Sequence, residues 1–539
     1  MSAFELEGIC PLTTPAALAR AAAIAPQVEA VVAAGGRITF GALAEEVARI
    51  RAALVAAGIG HGDHVGLCLG NGPRWVAIFL ALGSIGAVTV PVNTRFRGEE
   101  MAYVLGQAKV RWLFIADRFL SIDFIAMLRG ICPGIDTALP DATLPRLQGV
   151  VVLGQDVPAA ATGWEDFLRG GEGQAAPATA RAEDTLLIQY TSGTTSFPKG
   201  VLLTHRNMCA NGFFSGGRMG LRLADRFHSA RPFFHVAGSS LSVLACLQHV
   251  CTLVTMDRFE PAEALRLMEE ERCTHFSGND TMALMLLNHP DRPQRRLSLR
   301  GAWAAASPSI VKRVIDELGA RECVVGYGLS EASPNISQSC WWEDEDIRIS
   351  GRMLPEPGVS VRIRDLQSGA DCPSGVDGEI LVRGWNVMLG YYDKPEETAA
   401  TLDAEGWLAT GDLGNLDASG RLAFSGRAKD IVRVGGENVS PAEVEDILHR
   451  HPAIRQAVVV GVPDARLVEV PCAFVIRNQG HDCAEAEIIA WSQQKMAGFK
   501  VPRYVRFVDG FEDIGMTESS KIQKKKLAAH AVQLLGLAG

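Results

Sequence analysis

The densest run of chemically useful side chains lies between Ile188 and Gly200, which reads IQYTSGTTSFPKG. Five Ser/Thr hydroxyls (Thr191, Ser192, Thr194, Thr195 and Ser196) crowd around Gly193, and Lys199 follows within three residues. Small residues let backbone N–H groups approach an anion closely, hydroxyls add donors, and the lysine adds positive charge. That combination suits the phosphates of a nucleotide. It is not a Walker A loop, because Lys199 follows Pro198 where that motif needs Gly-Lys-Ser/Thr. A dinucleotide site is also disfavoured, since no GxGxxG follows a strand with an acidic residue at the right distance.

Composition narrows the remaining classes. The chain has 539 residues, 47% of them hydrophobic and 21% charged, ordinary usage for a globular protein of two to four domains. Its 52 basic and 61 acidic residues leave a net charge of −9, which argues against a general nucleic-acid binder, including through the run Lys524 to Lys526. Twelve cysteines are scattered without a CxxC, against a zinc ribbon or thioredoxin-type site. No export signal is read in MSAFELEGIC, so the thiols are expected to be reduced and the chain cytoplasmic. The longest apolar run, Trp75 to Val92, approaches a membrane span in length. Gly83, Ser84, Gly86 and Pro91 divide it, and it is expected to be a helix, a turn and a buried strand.

The elements that must hold these residues alternate. Ala42 to Gly58 reads as a helix, Val65 to Leu69 as a strand, Trp75 to Leu82 as a helix and Ala87 to Val92 as a strand, the pattern of an α/β protein with largely parallel sheets. Gly/Pro-rich connections at Leu354 to Gly358 and Cys372 to Gly378 introduce a smaller β-rich unit. A boundary is expected near Arg427 to Asp430. Beyond it, Pro441 to Leu448 reads as a helix capped by Ser440, Glu485 to Lys495 as a second, and Ala457 to Val462, Phe474 to Ile476 and Tyr504 to Phe507 as strands. Those roughly 110 residues are enough for an independent α+β domain.

Eight blocks along the chain resemble, in order, the adenylate-forming superfamily of acyl-CoA synthetases, adenylation domains and firefly luciferase. They are ITFGALA from Ile38, the loop from Tyr190, FFHVAG from Phe233, GYGLSEAS from Gly326, GEILVRG from Gly378, GWLATGDLG from Gly406, GRAKDIVRVGGENVSP from Gly426 and ESSKIQKKKL from Glu518. The fold this resemblance implies is α/β: a large N-terminal domain of stacked sheets and helices with a β-rich subdomain (residues 1–426), a hinge (427–430) and a small mobile α+β lid (431–539). The activity it implies is ATP-dependent ligation of a carboxylic acid to coenzyme A through an acyl-adenylate, with pyrophosphate and then AMP released.

The resemblance also assigns residues. Thr191, Ser192, Gly193, Thr194, Thr195 and Lys199 look like the phosphate cradle, Glu331 like the Mg2+ ligand, and Ser330 like an α-phosphate contact. Tyr327 resembles the aromatic that stacks on adenine. Asp412 resembles the carboxylate that takes the ribose hydroxyls, with Arg427 beside it. Lys521 looks like the cation bridging the acid and the α-phosphate, and His235 like the residue beside the carboxylate pocket. Lys429 occupies the hinge position, and Gly435, Gly436 and Glu437 the pantetheine channel. The acid pocket is expected from 234–239, 275–280 and 304–307, with Asn279 and Asp280, in place of a Val-Pro pair, hinting at a polar or bulky acid. Ser196, Ser520 and Val468 stand where the family favours glycine. Expected partners are the acid, ATP and CoA, with a homodimer as a candidate assembly and no nucleic acid. Alternative readings are a stand-alone adenylation enzyme loading a carrier-protein thiol, a luciferase-like oxygenase, and a non-catalytic nucleotide-binding homologue.

Overall fold

Local sequence explains the first helices. Thr39 accepts a hydrogen bond from the Ala42 N–H and opens the helix Phe40–Ala56, whose residues Phe40, Leu43, Val47, Ile50 and Leu54 recur at helical spacing and are buried. It ends where Gly58 takes φ +72°. The helix Pro73–Ser84 begins with proline in its first turn and is buried along nearly all its length. The strand Val88–Pro91 follows, so the long apolar run is a helix, a turn and a strand as expected. Among the described residues no helix is long and apolar enough to cross a membrane.

The computed structural model describes residues 5–191, 198–435, 437–516 and 522–537. Two large sheets dominate the first 427 residues. One has thirteen strands, and its centre is parallel: Arg226–Ser229, Thr252–Val254, His275–Asn279, Gly301–Ala305 and Glu322–Gly328. This sheet continues through antiparallel strands from Asn335–Gln338 to Leu422–Arg427, the β-rich part expected after the Gly/Pro connections. The other has eight strands, including parallel His64–Cys68, Val88–Pro91 and Trp112–Ala116. Helices between the sheets bury a continuous apolar core that runs from Ala17 to Leu422.

The last hundred residues form a separate five-stranded sheet with its own cores. The helix Pro441–Leu448 has the bounds the sequence suggests, and the strand Tyr504–Phe507 does too. The role given to Ser440 differs. Its hydroxyl makes no cap bond, and donates instead to the Ser425 carbonyl on the far side of the hinge. All twelve cysteines are unpaired, and Cys372 alone is not buried. The small domain sits against the large one. The Ser309 N–H donates to Asp446 at 3.0 Å, and Gln456 Nε2 donates to Thr281 Oγ1 at 3.3 Å.

Candidate active site

Several of the expected residues fall into two clusters built on strands of the two large sheets. Strands Thr185–Thr191 and Lys199–Thr204 are antiparallel partners, and Thr191 pairs with Lys199. The hydroxyl-rich segment therefore joins two antiparallel strands. Ser192, Gly193, Thr194 and Thr195 lie outside the described residues. Lys199 Nζ sits 4.3 Å from the centroid of the Tyr391 ring. The Tyr391 hydroxyl donates to Glu331 Oε1 at 2.8 Å. One aromatic residue thus spaces the cation from the carboxylate. Burial raises the Tyr391 phenol pKa above its usual range, and Glu331 raises it further, so this proton stays on the tyrosine.

Glu331 and Ser330 occupy a single tight turn, Ser330–Ala332, after the strand Glu322–Gly328. The Glu331 backbone carbonyl accepts from the Met388 N–H at 2.9 Å, which ties that turn to the Tyr391 segment. Gly328 is required by close approach, since a Cβ there would meet the Pro334 carbonyl oxygen at 1.9 Å.

Tyr327, Asp412 and Arg427 form a second cluster. Asp412 and Arg427 are register partners on neighbouring strands, and Arg427 Nε lies 3.4 Å from Asp412 Oδ1. The Tyr327 hydroxyl donates to Asp412 Oδ2 at 2.9 Å. Its ring stacks on Phe424, centroids 5.1 Å apart and planes 22° from parallel. Burial and then Asp412 push the Tyr327 phenol pKa well up, so it remains a donor. Arg427 also receives the Asp430 and Ile431 N–H groups on its carbonyl, so the second cluster is continuous with the hinge. Lys429 follows in the same turn. Partial burial lowers its pKa, with smaller contributions from Arg427 and Lys525.

His235 opens the short helix Val236–Gly238, and its Nδ1 accepts from the Ala237 N–H at 3.2 Å. Two residues that the sequence reading did not single out fix this turn. Asn71 Oδ1 accepts from the Phe233 N–H at 2.9 Å, and Gln189 Nε2 donates to the Phe234 carbonyl at 3.0 Å. Gln189 carried a signal, being a polar residue in an otherwise apolar strand. Tyr391 and Asn71 carried none in their local patterns.

The polar pair expected in the acid pocket serves otherwise. Asn279 Oδ1 accepts from the Met282 N–H and caps the helix Asp280–Leu287. The Asp280 carboxylate accepts from the Ser307 N–H at 3.0 Å and faces Glu445, Asp446 and Lys524 of the small domain. The pair is therefore no evidence for a polar acid.

Gly435 lies in the turn between Val432–Val434 and Glu437–Val439, at φ +59°. Its N–H donates to the Leu467 carbonyl at 2.8 Å. Gly436 and Lys521 lie outside the described residues. Of the residues flanking Lys521, Met516 and Ile522 pair as a bridge, and the Gln523 N–H donates to the Gly515 carbonyl at 2.8 Å.

Known proteins resemble this chain over most of its length. Residues 18–392 match the model of the AMP-binding enzyme family, and 443–521 that of the AMP-binding enzyme C-terminal domain. A 7a-methyl-1,5-dioxo-octahydroindenyl-propanoyl:CoA ligase of Mycobacterium tuberculosis is 38% identical over 96% of this chain and 99% of its own length. The mitochondrial medium-chain acyl-CoA ligase of Homo sapiens is 32% identical over 93% and 84%. Among solved structures, the anthranilate CoA ligase AuaEII with anthranoyl-AMP superposes with a TM-score of 0.87 at 26% identity, covering 98% of this chain and 99% of that one. ATP-bound MatB from Rhodopseudomonas palustris gives 0.80 at 26% identity, with 97% and 99% covered. The chain belongs to the AMP-binding enzyme family, and is an ATP-dependent acid–CoA ligase that works through an acyl-adenylate.

Proposed function

We propose that the acid is activated in the space bounded by the Glu331 turn, the Lys199 hairpin and His235, and that the residues named above divide the work between two half-reactions. In the first, a carboxylate oxygen of the acid attacks the α-phosphorus of ATP, and the bond to pyrophosphate breaks. Two anions must approach, so cations and oriented donors lower the barrier most. Lys199 and the hydroxyls from Thr191 to Thr195 hold the leaving phosphates. Ser330 donates to the α-phosphate, and Lys521 bridges it to the attacking carboxylate. Asp412, oriented by Tyr327 and Arg427, accepts the ribose hydroxyls, and Tyr327 with Phe424 forms the aromatic shelf for adenine. In the second half-reaction the thiol sulfur of CoA, having lost its proton, attacks the acyl carbon and AMP leaves. Gly435, Gly436 and Glu437 serve the pantetheine arm after a rotation about Lys429.

Glu331 suits magnesium. It offers one hard carboxylate, and among the described residues no group of three His, Cys, Asp or Glu side chains converges, so the remaining ligands would come from phosphates and water. A magnesium ion there would neutralise charge on the phosphates.

The observation that carries this reading is the convergence of Lys199 and Glu331 on Tyr391, a cation and a carboxylate held at fixed spacing beside a segment rich in hydroxyls. The test is pyrophosphate release with ATP, magnesium and a panel of acids, and AMP release on adding CoA. Lys521→Ala is expected to abolish the first step and to spare thiol transfer from preformed acyl-adenylate. Equal loss of both steps would remove Lys521 from the adenylation role.

A further inference from the structure

Arg231 immediately precedes the turn that presents His235, and its surroundings are unusual for a guanidinium. Its Nη2 donates to the Gly278 carbonyl at 3.3 Å, and its Cζ sits 4.1 Å from the centroid of the Trp303 ring. Nε is buried and has no hydrogen-bond partner. Among the described residues no carboxylate pairs with it. The pKa of the group is lowered to about 9 by burial, with no acidic neighbour raising it. The residue is half-buried, so part of its side chain stays open to a ligand.

The segments that touch Arg231 are those expected to line the acid pocket. Gly278 belongs to 275–280, Trp303 directly precedes 304–307, and Phe234 and His235 follow Arg231 in sequence. Ser229, Ser277 and Trp303 are register partners across three parallel strands, and Ser277 Oγ is likewise buried with no partner. An enclosed cation without a counter-charge is costly, and stacking on an indole offsets only part of that cost. Among the described residues, one of its five N–H donors finds a protein acceptor. An oxygen supplied by a ligand would satisfy the rest.

We propose that Arg231 is a specificity-determining residue of the acid pocket, and that the preferred acid carries an acceptor oxygen, keto or carboxylate, remote from its reacting carboxylate. The proposal rests on the ligase reading, since it places the acid against these three segments. A plain hydrocarbon tail packed against the guanidinium would leave its donors unmet. An oxygenated tail would receive a charge-assisted hydrogen bond.

The test separates binding from turnover. Hexanoyl-, oxohexanoyl- and adipoyl-sulfamoyl-adenosine mimic three acyl-adenylates of equal chain length, and their affinities for the full chain are read by calorimetry. The wild type is expected to bind at least one oxygenated analogue about tenfold to a hundredfold more tightly than the hexanoyl analogue. Arg231→Met is expected to erase that preference, and Arg231→Lys to keep part of it. Equal binding of all three by the wild type would overturn the proposal. So would an equal loss for all three in Arg231→Met, which would assign Arg231 to the shared adenylate or to folding. If the oxygen preference is present but no matching acid releases pyrophosphate from ATP, the proposed division of work in adenylation fails while the binding preference set by Arg231 stands.

Discussion

Val468 offers a stability prediction that can be worked from backbone geometry. It takes φ +72°, is 68% exposed, and starts the strand Val468–Arg477 straight after a turn closed by Asp464. A left-handed conformation costs an L-residue about 1–2 kcal/mol, and a β-branched side chain sits at the upper end. Glycine removes that cost but loses about 0.5–1 kcal/mol through the greater freedom of the unfolded chain. So little of the valine is buried that the lost hydrophobic contribution is only a few tenths of a kcal/mol. Val468→Gly should therefore stabilise the small domain by about 0.5–1 kcal/mol. Val468→Ala, which keeps a Cβ without branching, should fall between the two. The assay is denaturant unfolding followed by Trp491 fluorescence, a probe within the small domain. A glycine variant no more stable than the wild type would refute the strain argument, and one less stable than the alanine variant would show that the valine makes packing the geometry does not reveal.

Further tests address the domain contact and the proposed ribose cluster. Asp280 has its pKa raised to about 7, first by burial between the domains and then by Glu445 and Asp446, against lowering by the Ser307 N–H and Lys524. Because the folded value exceeds the unfolded one, the unfolded state binds fewer protons between about pH 4 and pH 7, and stability falls as pH rises through that window. With part of the side chain still open to solvent, the cost above pH 7 is on the order of 1–2 kcal/mol. Asp280→Asn keeps an acceptor for Ser307, and should raise unfolding stability at pH 8 by about that amount with a smaller gain at pH 5; an equal effect at both pH values would refute this assignment. Tyr327→Phe removes a buried hydrogen bond to the Asp412 carboxylate, and should cost about 1.5–3 kcal/mol of stability and weaken AMP binding. Unchanged AMP affinity alongside lost stability would separate Asp412 from the ribose.

Much of the architecture could be read in the chain because periodicity and punctuation agreed. In the run Trp75 to Val92, glycines and a proline cut an apolar stretch at the places where helix and strand in fact end. The helix after Ser440 was legible from proline in its first turn. The cap was not, because whether a serine bonds its own helix or a distant carbonyl depends on what lies across the hinge. The glycine expected at position 468 came from the family resemblance, and the backbone supports it, since Val468 takes φ +72°. A backbone conformation demanded by a tight turn leaves its mark on residue preference, and valine there stands out against it.

The acid pocket resisted the same reasoning because its chemistry is set by contacts between segments far apart in the chain. Asn279 and Asp280 looked like pocket polarity, yet one caps a helix and the other faces the second domain. Arg231, a single charge before a proline, carries no signal in its local pattern. Only the parallel register of three strands reveals that it lies on Trp303 and reaches Gly278, with no carboxylate paired to it among the described residues. Local pattern measures the cost of a conformation, and so finds turns and helix starts. An unmet charge is a property of the assembled pocket. The residues that perform the shared reaction therefore lie in contiguous blocks, whereas the residue proposed to choose among acids is distinguished by what the folded chain fails to place beside it.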